Sequence, residues 1–270
     1  MSWIHSRRLH YLAAAVAVLF ALFALLRGVF LVGFSGLSWP ALVENEDVAR
    51  TLGIGLRFDL RLALLVTLPL MLLAWLPRLN LLRSRATRYL ARAYLAFVVG
   101  LLLLVYIVDF GHYAYLGVRI NATVLRFIED AQISTGMVWQ TYPVVTIGLG
   151  WLALLTLTVA ALWQVERRTL QRPATPISRW SVAAGSAVVT VLVFLGLLGR
   201  VDNLNLENPV PLRWSDAFHS GDAQISALGL NPVIFLYDTL RVDAVAFDEE
   251  QARQHYPLMA NYLGIQAADA

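Results

Sequence analysis

The sequence predicts an all-α integral membrane protein with five transmembrane helices and further interfacial helices at the outer membrane surface. Of its 270 residues, 59% are hydrophobic and 14% are charged, against about 45–50% and about 25% in soluble domains. Five apolar stretches are each near or above the ~20 residues that cross a bilayer as a helix. These stretches are Leu9–Phe34, Thr51–Leu76, Tyr94–Tyr115, Val138–Trp163 and Trp180–Gly199.

The connections between the stretches alternate in arginine content, which predicts the orientation. Arginines are frequent in the N-terminal tail and in the second and fourth connections, whereas acidic residues accompany them in the first and third. Positive charge near span ends marks the cytoplasmic side, so the N-terminus is expected inside and the segment after Gly199 outside. The predicted cytoplasmic arginines are Arg7, Arg8, Arg78, Arg83, Arg85, Arg88, Arg92, Arg167, Arg168, Arg172 and Arg179.

The first stretch is predicted to be a retained anchor rather than a cleaved signal peptide. Its apolar part, Tyr11–Leu26, exceeds the usual 7–15 residues of a signal peptide, and no small-residue cleavage pattern follows before Arg27. Prolines mark later boundaries, because they lack the N–H that an interior helical position requires. Pro77 is expected to close the second span, and Pro173 with Pro176 to precede the fifth.

The third connection is predicted to contain an amphipathic helix over about 121–134. Val124, Phe127, Ile128 and Ala131 recur at i, i+3, i+4 and i+7, with charged residues between them. Two placements remain open. The helix lies either on the outer membrane surface or against other protein.

Residues 1–200 are therefore assigned to the five-helix bundle and residues 201–270 to an extracytoplasmic interfacial collar or linker. Asn231-Pro232 is typical of a helix N-cap followed by its first residue, which predicts a helix over Val233–Arg241. Asp248 with Gln251 resembles a capping box. The helix that it opens is expected to kink or restart at Pro257.

Ionisable residues inside the spans are the candidates for function, because such residues are costly in a membrane. At ~1.5 Å per residue, they all lie roughly 24–30 Å from the cytoplasmic ends of their spans, near the outer boundary. They are Arg27, Arg57, Arg61, Asp109 and His112.

Helical geometry separates the roles of three of these neighbours. Arg57 and Arg61 are four residues apart and share a face, whereas Asp59 points about 200° away from Arg57. Asp59 is therefore expected to pair with another helix, which would leave the two guanidinium groups to bind a lipid phosphate. The alternative is that these arginines snorkel and form ion pairs that only fix the bundle.

Other functional classes find little support in the sequence. There is no cysteine, and the five histidines have no metal-ligand spacing, so no metal site is expected from this chain. The pI near 9.4 comes from arginines at span ends and not from one patch. The predicted partner is therefore membrane phospholipid and not nucleic acid.

Three short motifs carry a resemblance to a known family. They are Gly55–Leu60, Asp109–Tyr113 together with Arg119, and Leu230–Val233. The chain resembles the N-terminal membrane domain of the lipoteichoic acid synthase family, in which a five-helix bundle and coupling helices precede an extracellular alkaline phosphatase/sulfatase-like domain. The resemblance implies a bacterial cytoplasmic (inner) membrane protein whose C-terminal segment is periplasmic or extracellular.

The resemblance also implies what the catalytic domain would do. That domain would use a divalent metal (Mn, Mg or Zn) and a threonine to move phosphoglycerol, or a related headgroup, from a phospholipid to an acceptor. It would follow about where Ala270 stands, and none of its ligands or nucleophile is present here. No catalytic residue is therefore assigned, and the chain is expected to be either a fragment or a membrane domain kept for another purpose.

Two functional hypotheses follow. In the first, the chain is the membrane anchor of a transferase or sulfatase-like hydrolase and presents lipid headgroups through Arg27, Arg57, Arg61, His112 and Arg119, while Asp59 and Asp109 form structural ion pairs. In the second, it is a scaffold that docks a membrane or periplasmic protein. The first predicts a polar pocket that opens toward lipid, and the second predicts a closed, ion-paired pocket with an exposed apolar patch elsewhere.

Overall fold

The computed structural model describes residues 2–75, 84–125, 131–171, 178–200, 210–241 and 249–263. Within these ranges every regular element is helical, which confirms the all-α part of the predicted fold class. Short 3₁₀ segments lie at Ala122–Val124 and Trp214–Phe218. The α-helices are α1 (Ser2–Gly33), α2 (Trp39–Glu44), α3 (Glu46–Trp75), α4 (Arg85–Leu116), α5 (Ala131–Thr141), α6 (Val144–Gln171), α7 (Arg179–Leu198), α8 (Ala223–Gly229), α9 (Pro232–Arg241) and α10 (Glu249–Leu263).

Within the ranges that the structure describes, three helices are long and apolar enough to cross a membrane, which indicates a membrane protein. These segments are Arg7–Gly33 in α1, Arg85–Leu116 in α4 and Val144–Gln171 in α6, and α7 adds a shorter apolar segment, Ala183–Leu198. All five predicted stretches are thus largely helical. The count of five spans and the orientation of the chain stay predictions.

The fourth stretch is predicted as one uninterrupted helix from Val138. In the structure it is divided between two helices. The helix α5 ends at Thr141, and α6 begins at Val144. Between them Pro143 has no backbone N–H to donate, and the Val144 amide donates instead to the Tyr142 carbonyl at 2.8 Å. The helix then continues eight residues past the predicted end at Trp163, to Gln171.

The predicted amphipathic helix over about 121–134 falls partly on residues that the structure does not describe, and it stays a prediction. A 3₁₀ turn lies at Ala122–Val124 and α5 runs over Ala131–Thr141, while residues 126–130, which include Phe127 and Ile128, lie outside the described residues. The Asn121 side chain accepts from the Thr123 amide at 2.9 Å and so caps this 3₁₀ turn.

The structure tests only one of the following predicted helix boundaries. Pro77, Pro173, Pro176 and Asp248 lie outside the described residues. Pro257 does not restart a helix, because α10 continues through it as one element.

The helices form a bundle in which α1 packs against α3 and α6, α4 packs against α6, and α3 also contacts α7 and α8. Aromatic rings fill its centre, with Phe23 stacked 6.0 Å from Tyr106 and Phe30 edge-on to Tyr113 at 4.7 Å between ring centroids. One end of the bundle holds the starts of α1 and α4 and the ends of α3 and α6. The other end is covered by α8 and α9.

Candidate functional site

A buried ion pair between α1 and α3 is the centre of the candidate site. Arg27 donates from Nε and Nη2 to the two carboxylate oxygens of Asp59, both at 2.7 Å, and the two side chains are 6% and 0% exposed. This forked geometry is the strongest form of arginine–carboxylate pairing. It confirms the prediction that Asp59 seeks a partner on another helix.

The same guanidinium group also binds the chain that follows the last apolar stretch. Its Nη1 donates to the carbonyl oxygens of Leu228 and Leu230, the latter at 3.2 Å, and its Nη2 donates to the Gly55 carbonyl at 3.0 Å. A Cβ at position 55 would lie 2.8 Å from Arg27 Nε and closer still to two other guanidinium atoms. Glycine therefore lets the guanidinium lie against the α3 backbone.

Asn231 completes this arrangement from the junction between α8 and α9. Its amide nitrogen donates to Asp59 at 2.8 Å and lies 2.9 Å from the Tyr106 hydroxyl oxygen. Its side-chain oxygen accepts from the amides of Val233 and Ile234, at 3.1 and 3.3 Å, as the predicted N-cap of α9. We call Arg27, Asp59, Tyr106 and Asn231 the interior network.

A second buried pair lies beside the interior network. Arg119 Nη2 is 3.3 Å from Asp109 Oδ2, and the Ile120 amide donates to Asp109 Oδ1 at 2.9 Å. The Arg119 guanidinium carbon lies 3.9 Å from the centre of the Phe30 ring, a cation–π contact. Burial lowers the pKa of Arg119, while the Asp109 carboxylate acts in the opposite direction.

Arg61 has a different environment, although it shares a helix face with Arg57. Its Nε and Nη2 donate at 2.6 Å to the carbonyls of Leu197 and Leu198 at the end of α7, and its Nη1 donates at 2.8 Å to Leu212. A cation at a helix C-terminus stabilises the carbonyls that have no partner within the helix. Arg61 therefore holds α7 and the segment around Leu212 onto α3.

The five residues predicted to bind a headgroup thus fall into two groups. Arg27 and Arg119 are buried in ion pairs, at 7% and 4% exposure, and Arg57, Arg61 and His112 are partly exposed. His112 Nδ1 lies 2.9 Å from the Val118 carbonyl oxygen. Headgroup binding by any of the five stays a prediction.

At α9 the collar contacts the bundle, although most of its side chains are half-buried or exposed. Val233 and Phe235 pack against the main hydrophobic core, and Ile234 is buried. Leu240 is 45% exposed. At ten residues, α9 is too short to be stable alone, so this packing accounts for its order.

The sequence analysis did not identify the roles of two residues that make polar contacts. The amide of Asn231 was identified only as a helix cap, because its second role depends on a contact 172 residues away. Glu166 was not singled out, although it accepts two 2.7 Å hydrogen bonds from Arg92. The sequence did contain an indication of this role, because Glu166 is an acidic residue within a group of predicted cytoplasmic arginines.

No protein-family model, characterised protein or solved structure matches this chain. Among the described residues, no three histidine, aspartate or glutamate side chains are grouped as metal ligands would be.

Proposed function

We propose that this chain is the membrane module of a larger protein: it anchors that protein, fixes the segment after the last apolar helix to the bundle, and presents a phospholipid headgroup. The parent protein that we propose is a lipoteichoic acid synthase-like transferase of phosphoglycerol or a related headgroup, or a sulfatase-like hydrolase, in the bacterial cytoplasmic membrane. The observation that carries this proposal is the bonding of Arg27 to Asp59 and to the α8–α9 junction at the same time.

This bonding supports a coupling role because the interior network is complete only when the junction is docked. Without the junction, Arg27 Nη1 would lose the carbonyls of Leu228 and Leu230, and Asp59 Oδ1 would lose the Asn231 amide. A polar group left without partners in a buried site is costly, so the junction is held tightly. A domain connected through α9 would then start from a fixed position on the membrane.

The proposed headgroup site lies on α3. The hydrogen bonds of Arg61 to Leu197, Leu198 and Leu212 all go to neutral carbonyls, and the nearby Asp238 carboxylate offsets only part of its positive charge. Arg57 lies one turn earlier on the same face and is partly exposed. Two guanidinium groups at this spacing suit a phosphate, which accepts charge-assisted hydrogen bonds from both.

Native mass spectrometry of the purified chain with phosphatidylglycerol tests this part. Arg57→Ala should lower the lipid-bound fraction about tenfold, as expected for the loss of one charge-assisted hydrogen bond. Arg50→Ala is the matched control, because it removes the same charge from an exposed position about two turns earlier on α3. Equal loss in both variants, or in neither, contradicts a headgroup site at Arg57.

The nature of the parent protein is tested separately by the reading frame beyond codon 270. An apolar strand that ends in an acidic residue, followed some tens of residues later by a metal-liganding threonine, supports the transferase or hydrolase. A frame that lacks this pattern removes the enzyme from the proposal and leaves the anchoring role to be judged by itself.

A scaffold that docks a membrane or periplasmic protein is the second candidate, and two observations favour it. The charges at the interior network are paired and closed, and α6 and α7 expose large apolar side chains to the outside of the bundle. Among them are Val145, Leu149, Leu157, Val188 and Leu192, all 58–67% exposed. A photo-crosslinker at Leu149 or Leu192 in membranes distinguishes the two, since a single protein adduct supports the scaffold and lipid adducts alone contradict it.

A further inference from the structure

The end of the bundle opposite the interior network contains a second charged cluster. Arg85, Arg88, Tyr89 and Arg92 of α4 line a cavity of about 370 Å³. Their spacing of i, i+3, i+4 and i+7 places all four on one helix face. Arg88 precedes Asp109 by 21 residues, so the cluster lies roughly 30 Å from the Asp109–Arg119 pair along α4.

The residues that line the cavity carry positive charge and no negative charge. The carboxylate of Glu166 on α6 lies behind them, where it accepts two 2.7 Å hydrogen bonds from Arg92 and is 3.4 Å from Arg88 Nε. Glu166 is 3% exposed, so its charge faces the interior and not the cavity mouth. A lining of three guanidinium groups and one phenol is complementary to an anion.

The depth of the cluster indicates which anion is available there. The apolar helix that carries it has 32 residues, whereas about 20 cross the hydrocarbon of a bilayer. Because the apolar stretch of α4 begins only at Tyr94, we place its first two turns beyond the hydrocarbon, in the headgroup layer. Tyr89, 70% exposed at this level, is a residue type enriched at membrane interfaces.

We propose that this cavity binds the phosphate of an anionic phospholipid in the adjoining leaflet. Arg85 and Arg88 donate to the phosphate, and the Tyr89 hydroxyl lies at the same rim. The Arg92–Glu166 pair forms the wall that fixes α4 against α6 and sets the spacing of the other two arginines. The site depends neither on the proposed function nor on the headgroup site at Arg57, because it lies at the other end of the bundle.

Lipid titrations of the detergent-purified full chain, followed by native mass spectrometry, test this site. The probes are phosphatidylglycerol, phosphatidylcholine with the same acyl chains, and inorganic phosphate. The double variant Arg85→Gln/Arg88→Gln should weaken phosphatidylglycerol binding about tenfold, which corresponds to the loss of one strong charge-assisted contact. The matched control is Arg167→Gln/Arg168→Gln, two exposed arginines at the same end outside the cavity, for which the change should stay within about twofold.

Several results would overturn the proposal. Equal loss in the two double variants would indicate general attraction to a basic surface, and no loss in either would mean that the cavity does not bind lipid. Tight binding of inorganic phosphate that excludes phosphatidylglycerol would identify a free anion as the ligand. If the double variant does not fold, Arg85→Gln alone serves, since the two hydrogen bonds from Arg92 to Glu166 do not involve Arg85, and it should lower binding about threefold.

Discussion

The two ends of the bundle use arginine in opposite ways. At the network end, Arg27 pairs with Asp59 and Arg119 with Asp109, and all four side chains are at most 6% exposed. At the arginine-rich end, Arg88 and Arg92 share the carboxylate of Glu166, and the Arg92 side chain is 39% exposed. Arg27 and Arg119 each have their own acid, whereas Arg88 and Arg92 share one.

The cost of removing charge from water explains this difference. A buried guanidinium without a counter-charge loses several kcal/mol of solvation, whereas an exposed one keeps its water. The chain after α7 folds over the network end and removes that water, so Asp59 and Asp109 are required there. The arginine-rich end has no such cover from the described residues, and its positive charge is tolerated and can attract an anion.

The largest expected effect comes from breaking the matched charges at the network end. Asp59→Ala leaves Arg27 buried without its counter-charge and should lower the free energy of unfolding by about 3–5 kcal/mol. The measurement is thermal or chemical unfolding of the detergent-purified chain. Glu46→Ala, which removes an exposed acid from the first turn of the same helix, should change stability by less than about 1 kcal/mol. Similar losses in both variants would contradict the importance of the buried pair.

Two glycines of α3 sharpen the comparison without changing any charge. Gly55→Ala places a methyl group against the Arg27 guanidinium, which cannot move without breaking its hydrogen bonds, so the loss should be about 1–3 kcal/mol. Two residues earlier, a Cβ added at Gly53 would have no neighbouring atom within 4 Å. Gly53→Ala should instead stabilise the helix by roughly 0.5–1 kcal/mol. Opposite signs in the same unfolding assay are the expected result, and equal signs would be inconsistent with a tight fit at Gly55.

A substitution at the arginine-rich end should have a smaller effect than Asp59→Ala. Glu166→Gln weakens the two hydrogen bonds from Arg92, but the arginines there stay partly hydrated, so the loss should be about 1 kcal/mol. The same change makes the cavity more positive and should raise its affinity for phosphatidylglycerol. A loss as large as that of Asp59→Ala would mean that the two ends do not differ in the way described.

The smallest expected effect concerns pH at the edge of the network end. Burial raises the pKa of Asp238 above its ordinary value, although the guanidinium groups of Arg61 and Arg241 act against this. The folded state therefore holds the proton more tightly than the unfolded state, and the contribution of Asp238 to stability falls as pH rises through the raised pKa. Asp238→Asn should be slightly stabilising at pH 7 relative to the wild type, with the difference disappearing below pH ~4. A variant that is destabilised at pH 7 and not at low pH would reverse this sign.

Helical periodicity and charge placement predicted much of this architecture from the sequence. The depth estimate brought Arg27 and Asp109 to one level, and the helical angle of Asp59 turned it away from Arg57 and toward another helix. These predictions succeed because side-chain direction on a helix follows from residue spacing alone. The cap at Asn231 succeeded for the same local reason.

The contacts that escaped prediction are made to backbone carbonyls or across long separations in the chain. Arg61 binds the carbonyls of Leu197, Leu198 and Leu212, and every residue type offers a carbonyl, so no sequence pattern marks these partners. The break at Pro143 was missed because the apolar residues on both sides form one continuous stretch. Only the missing N–H of the proline indicates that the helix is interrupted there.

The separation of Asn231 from Asp59 has a consequence for biosynthesis. Asp59 leaves the ribosome 172 residues before Asn231, which at about 5–20 residues per second is an interval of roughly 10–30 s. Arg27 and Asp59 are both synthesised early and can neutralise each other during this interval, but the carbonyls of Leu228 and Leu230 and the amide of Asn231 do not yet exist. A nascent bundle thus lacks part of the interior network. Arrival of the α8–α9 junction supplies the missing partners and completes that network.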